Sequence, residues 1–329
     1  MSRRDIVLGI SLMTFLVLSF GLVTPPKALA SDYPNKAIQF IVQYAPGGVL
    51  DLGARLIAAG SAESLGQPMV ILNKPGAGGA LGTDFIAKAK PDGYTLGLGP
   101  VSLAILKAIN PTLSFDPVKD LTPICRLSMG SNVMVVRSDS PLNTLDKLID
   151  YARKNPGKLN YGSSGVGGSL HFAGELFQRE AGIQMVHVPY KGGAPALMAL
   201  LGGHIDLTFN NLQEAVEQIK GGKVIPLAVT LPERYPELPQ IPSVAEKGYP
   251  KAVITSWTGV VGPAGLPKPV VDKISAYCQK VVSHPNILKK LKEFWVTPAY
   301  LGPEEYGRFI GSEIELYKDL AKRANIKAE

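Results

Sequence analysis

Apolar positions in this chain gather in short runs that end at glycine and give way to residues with helical spacing. The first run is Ala37-Ile-Gln-Phe-Ile-Val-Gln-Tyr44, closed by Ala45-Pro-Gly-Gly48; from Asp51 the apolar positions keep to one helical face until Gly66. Met69-Val-Ile-Leu72 and the glycine loop 73–79 repeat the pattern, with a helix predicted over about 81–89 and a strand over Tyr94-Thr-Leu-Gly-Leu98. Such alternation predicts a largely parallel α/β sheet. A second set follows Asn132. It has predicted strands at 133–136, 159–162, 185–188, 205–209 and 224–230, and helices over about 144–154 (capped by Thr144), 170–181, 194–201 and 213–220. The Pro-rich stretch 232–250 reads as a surface connection, 252–261 as extended chain, and the tail as two helices, about 268–283 and 303–324.

With the tail packed back on the first set, the chain crosses twice between two lobes, near 125–135 and 250–258. One lobe is then 31–130 plus 255–329 and the other 131–254. Ligands of α/β sheets bind beyond the C-terminal ends of the strands. Here those ends carry the glycine loops, so a cleft between the lobes is expected to be lined by them.

The first thirty residues read differently. Arg3 and Arg4 precede an uncharged, mostly apolar run over 6–23, Thr24-Pro-Pro-Lys27 breaks it, and Ala28-Leu-Ala30 has the small-x-small form of a cleavage site. This is the pattern of a secretory signal peptide, with the mature chain starting near Ser31 outside the cytoplasm. The alternative is a retained anchor, for which the run is near the lower length limit. Of the 329 residues, 46% are hydrophobic and 19% charged, which excludes a disordered chain. The net charge of +7 falls to about +5 without residues 1–30, a mild excess that suits a small acidic ligand. No dense Lys/Arg cluster, zinc-finger spacing or helix-turn-helix spacing points to nucleic acid. Cys125 and Cys278 carry no spacing motif and are expected as buried free thiols. No metal or cofactor is expected.

The loops suggest chemistry. The first N–H groups of a helix lack internal partners, and the helix dipole adds roughly half a positive charge there. Glycine lets that backbone approach a ligand closely. Ala45-Pro-Gly-Gly48 and Lys74-Pro-Gly-Ala-Gly-Gly79 can supply such donors from one side, Ser163-Ser-Gly165 and Gly192-Gly193 from the other. A carboxylate or phosphate is the natural guest. Each loop alone reads better as a tight βα turn; four in one chain favour a site.

Enzyme motifs do not assemble. Gly76-Ala-Gly-Gly79 is not GxGxxG, and Gly162-Ser-Ser-Gly-Val166 misses GxSxG. His171, His187, His204 and His284 have no ligand spacing. His171 is expected on a helix surface, with a cleft-lining position as the alternative. Asp51 is expected to cap a helix. A hydrolase using Ser163 or Ser164 remains the alternative function, although no base stands at a motif distance from either serine. A ligand sensor for a membrane kinase is a third possibility sharing the same cleft.

Several segments occur in a familiar order: Tyr33-Pro-x-Lys-x-Ile, Ala45-Pro-Gly-Gly-x-x-Asp51, Leu65-Gly-Gln-Pro68, Asn73-Lys-Pro-Gly-Ala-Gly-Gly79, Ala89-x-Pro-Asp-Gly-Tyr94, Val188-Pro-Tyr-Lys-Gly-Gly-Ala-Pro195 and Leu200-Leu-Gly-Gly-x-Ile-Asp206. Together they resemble the Bug family, the extracytoplasmic solute receptors of tripartite tricarboxylate transporters, over essentially the whole mature chain. The resemblance implies a two-lobed periplasmic binding protein of type II-like form that closes on a small organic carboxylate. It would hand that solute, as a monomer, to a two-subunit membrane permease. It carries ligand contacts onto Ala45, Gly47 and Gly48, onto Ala77, Gly78 and Gly79, and across the cleft onto Ser163, Ser164, Gly165, Tyr190, Asn210 and Asn211; Tyr44, Leu50 and Asp51, flanking the first loop, are further candidate ligand contacts. Two positions depart from the family pattern: Leu50 where a hydroxyl residue is usual, and Asn210 where Asp is frequent. Both make the cleft less polar, pointing to an apolar monoanion or aromatic acid. Leu50 packing under its helix is the alternative.

Overall fold

The computed structural model describes residues 32–324 and Ile326; the signal peptide expected at 1–30 lies outside the described residues. The first part of the chain gives β1 (Ile38–Val42), α1 (Val49–Ala59), α2 (Ser61–Leu65), β2 (Met69–Asn73), α3 (Ala80–Ala87), β3 (Thr95–Pro100), α4 (Ser102–Ile109) and β4 (Leu121–Arg137). Then come α5 (Leu145–Lys154), β5 (Asn160–Ser163), α6 (Ser169–Ala181), β6 (Val186–Pro189), α7 (Gly193–Leu201), β7 (Leu207–Asn211), α8 (Leu212–Lys220) and β8 (Val224–Val229). The chain closes with β9 (Thr255–Pro263), α9 (Lys268–Val282), α10 (Pro285–Glu293), β10 (Thr297–Leu301) and α11 (Pro303–Ala324).

β1 pairs in parallel with β2 and β3. Its Ile38, Phe40, Ile41 and Val42 are all buried, because helices pack against this sheet. In the other half, β5 pairs in parallel with β6 and β7. β4 joins the two halves. Residues 121–131 run antiparallel to β9, and 132–137 run antiparallel to β7 and β8. The second connection follows Thr230, whose carbonyl accepts from Ile254 N just before β9 starts. The sheet is therefore mixed where a largely parallel one was expected: every pairing of β4 and β9 is antiparallel.

Thr144 caps α5 as its sequence predicts, accepting from Lys147 N at 3.2 Å. The tail returns to the first half, where α11 packs on α4 and β4. Trp257 of β9 anchors it. Its indole Nε1 donates to Glu313 Oε2 at 2.7 Å, and its ring stands edge-on to Tyr306 and Phe309. Cys125 and Cys278 are both buried free thiols, as expected. They are neighbours: burial, and then the Cys278 thiol beside it, push the Cys125 thiol well up. No described helix is long and apolar enough to cross a membrane.

Candidate functional site

A cavity of about 300 Å³ opens where the two halves meet. Tyr44, Ala45, Gly47, Gly48, Val49 and Leu50 line it from the turn between β1 and α1. Ser164, Gly192, Gly193, Asn211 and Glu214 line it from the opposite side. Two main-chain amides of the first half reach across to the second. Ala45 N donates to Lys191 O at 3.0 Å, and Val49 N, the first amide of α1, donates to Glu214 Oε1 at 3.0 Å. At Gly78 the approach is closer still: a Cβ there would lie 2.2 Å from Val166 O and 2.7 Å from Gly168 N, and φ is +60°. Only glycine fits that contact. The cleft is thus closed, with loop 77–79 laid on loop 165–168.

The expected site residues divide into those that line the cavity and those that hold its walls. Tyr44 does both. Its hydroxyl donates to Gly78 O at 2.9 Å and lies 3.0 Å from Ser102 Oγ, and burial pushes its pKa up to about 12. Asp51 does not line the cavity. It braces the first loop from behind, accepting from Gly47 N (3.0 Å), Asn73 Nδ2 (2.9 Å) and the Arg55 guanidinium (3.0 and 3.1 Å). Burial pushes this carboxyl up, but Arg55, Gly47 N and Asn73 together hold it below the usual range. The expected cap is not made: Gly48 is the N-cap, no side chain caps the helix, and Asp51, inside its first turn, reaches back to Gly47 N ahead of it. Asp51→Ala is expected to cost about 2–3 kcal/mol, because three donors lose a charged acceptor. Arg55→Ala, on a half-exposed side chain, should cost under about 1 kcal/mol. Urea unfolding of the two variants checks the ranking.

Ala77, Gly78, Gly79, Ser163, Gly165, Tyr190 and Asn210 are not among the residues that line the cavity. Ser163 is fully buried; its Oγ accepts from Gly165 N at 3.1 Å and lies 2.7 Å from His187 Nε2. A histidine therefore does stand beside Ser163, through pairing of β5 with β6 that no motif spacing reveals. Burial, and then His171, lower the His187 pKa to about 3, so its ring is neutral at physiological pH. His171 corrects the surface expectation. It is buried, accepts from Gly167 N at 3.3 Å, and stacks on His187 with centroids 4.2 Å apart. The serine and the two imidazoles thus form one buried cluster with loop 163–168, held by these contacts. Asn210 Nδ2 donates to Gly193 O at 2.9 Å, while its Oδ1 is buried without a partner.

The sequence reading missed Glu214. An acid in the first turn of a helix is ordinarily a partner of the helix dipole, and α8 gave no reason to single it out. Its fold position is unusual. Oε1 meets the amino end of α1, and Oε2 is buried without a partner beside Gly193, the start of α7. Burial raises its pKa to about 7, although Val49 N–H and the Asn211 side chain pull it down. Since the folded value exceeds the ordinary 4.5, the ionised form opposes folding. Stability attached to the protonated form is complete below about 4.5 and lost as pH rises through about 7. Glu214→Gln is expected to match wild type in thermal melts at pH 4.5 and to exceed it at pH 8, by up to about 3 kcal/mol.

The family described as the tripartite tricarboxylate transporter family receptor matches residues 53–326. The chain belongs to that receptor family. It is similar to protein BugT of Bordetella pertussis (strain Tohama I), 32% identical over 329 residues that cover 99% of each chain. Among solved structures it is similar to an R. palustris protein with adipate, at 33% identity and a TM-score of 0.85, covering 90% of this chain and 99% of that one. It is also similar to MatC from Rhodopseudomonas palustris with bound malate, at 30% identity and a TM-score of 0.83, covering 88% and 99%. The fold is that of the two-lobed periplasmic binding proteins. This tripartite tricarboxylate receptor is a solute-binding protein and not an enzyme, which removes the hydrolase alternative. Receptors of this family work outside the cytoplasm with membrane components of the transporter.

Proposed function

We propose that this receptor captures a small organic carboxylate in the periplasm by closure of two lobes, 31–130 plus 255–329 and 131–254. It then acts as a monomer that delivers the solute to a two-subunit membrane permease. The cleavable signal peptide at 1–30 would place it there. The observation that carries this reading is a single cavity lined from both halves, at which Val49 N–H of the first half already holds the carboxyl group of Glu214 from the second. Adipate and malate in the two solved relatives favour a carboxylate guest. Anion-to-amide hydrogen bonds are worth about 1.5–3 kcal/mol each, so four or five suffice for the roughly 8 kcal/mol of micromolar binding.

Closure responds only to a ligand that binds the closed form better than the open one, which requires contacts on both sides of the cleft. Thermal shift against a library of mono- and dicarboxylic acids tests the proposal. Some acids should raise Tm by several degrees and be recovered unchanged, and X-ray scattering should show compaction with them. A flat response to every acid contradicts it.

A further inference from the structure

Glu214 places a carboxyl group in the seat expected for the solute's carboxylate. It lies between the amino ends of α1 and α7, one from each half, with Oε1 on Val49 N at 3.0 Å. A Cβ at Gly193 would fall 1.9 Å from Glu214 Oε2 and 3.0 Å from Asn210 Oδ1. Glu214 Oε2 and Asn210 Oδ1 are thus buried acceptors without partners beside Gly193, while the Asn211 side chain supports the Glu214 carboxyl. A buried carboxylate oxygen without a partner is costly unless it carries a proton or a donor arrives.

No cation offsets the charge. Among the described residues that line the cavity there is no Lys, Arg or His, and Glu217 adds a second carboxylate from α8. On α1, Asp51 faces away and its charge is met by Arg55. Tyr44, at the end of β1, is held neutral by burial. β7 contributes the uncharged Asn210 and Asn211, and α7 begins with Gly193 and Ala194. Lys191, before α7, has an exposed side chain and reaches the cleft through its carbonyl alone. A bound anion and an ionised Glu214 would therefore share a dehydrated cleft with only amide dipoles to stabilise them. Much of the remaining lining is apolar, including Leu56 of α1, Met129 of β4, Val282 of α9, and Ile287 and Leu291 of α10.

Resting on the carboxylate reading above, we propose that Glu214 determines specificity: the receptor accepts a monocarboxylate with an apolar body, bound together with one proton that stays on Glu214, and rejects dianions. The proton comes from solvent and no covalent bond changes. The raised pKa of Glu214 agrees with this, since a proton is available near neutrality and further anion in the cleft raises it again.

Calorimetry on the full mature chain tests it, with straight-chain monocarboxylates of four to eight carbons, phenylacetate, and the matching dicarboxylates as probes. In wild type, monocarboxylates should bind more tightly than their dicarboxylate partners. Affinity should fall about tenfold per pH unit above pH 7, with close to one proton taken up at pH 8 in buffers of different ionisation heat. In Glu214→Gln that pH dependence should vanish. Monocarboxylate binding that is unchanged between pH 6 and 8.5 in wild type overturns the inference, as does tighter binding of dicarboxylates. Either result leaves the receptor function standing, whereas binding of no acid at all removes both.

Discussion

Gly78→Ala is expected to lower solute affinity by about a hundredfold or more and to leave the protein open in X-ray scattering at ligand concentrations that compact the wild type. Two costs combine. A non-glycine residue at φ +60° loses about 1 kcal/mol, and a Cβ 2.2 Å from Val166 O cannot be relieved by rotating a side chain, because the obstacle is backbone. The loops must separate, and separation removes the closed form that binds. A penalty near 3 kcal/mol on closure corresponds to that hundredfold. Gly182→Ala is the control. It has a similar φ of +62° but no atom within 4 Å of the new Cβ, and it ends α6 away from the cleft. It should lower Tm slightly and leave affinity unchanged. Equal effects from the two variants would mean that backbone strain, and not contact between the lobes, governs binding.

Trp257→Ala is expected to destabilise the protein by about 3–5 kcal/mol, a fall in Tm of about 6–15 °C. The side chain is 2% exposed and holds α11 against β9, where the chain returns from the second half to the first. Trp257→Phe keeps an aromatic ring against Tyr306 and Phe309 but removes the donor to Glu313, whose carboxyl burial has already raised. It should cost about 1–2 kcal/mol. A loss below 1 kcal/mol for the alanine variant in differential scanning calorimetry would show that α11 is held by other contacts.

Much of this fold was legible because strand, glycine and helix alternate with different periods. The parallel strands β1, β2, β3, β5, β6 and β7 all fall on predicted runs. What escaped has physical reasons. In α4, six of eight residues are buried, so no polar face marks a helical period. The first half of β4 contains Pro123, which sits at a register shift against β9 and breaks the pattern of a strand. α10 buries none of its residues fully, and the short β10 carries Pro298, so both were lost in the tail. At the site, the glycine loops announced themselves, since a turn that needs glycine is visible in the sequence. Glu214 did not, because its meaning comes from Val49 and Gly193, 165 residues before it and on a different helix in the same half. His187 beside Ser163 was hidden for the same reason: strand register, not spacing, brings them together.

The most direct measurement is a crystal structure of the protein with an organic acid that raises its Tm. The account predicts the acid's carboxylate within about 3.2 Å of main-chain amides from both the 45–49 turn and the loops at 164 or 192–193. A carboxylate held by lysine side chains in the surface groove of Lys36, Lys88 and Lys90, or touching one lobe alone, would contradict it.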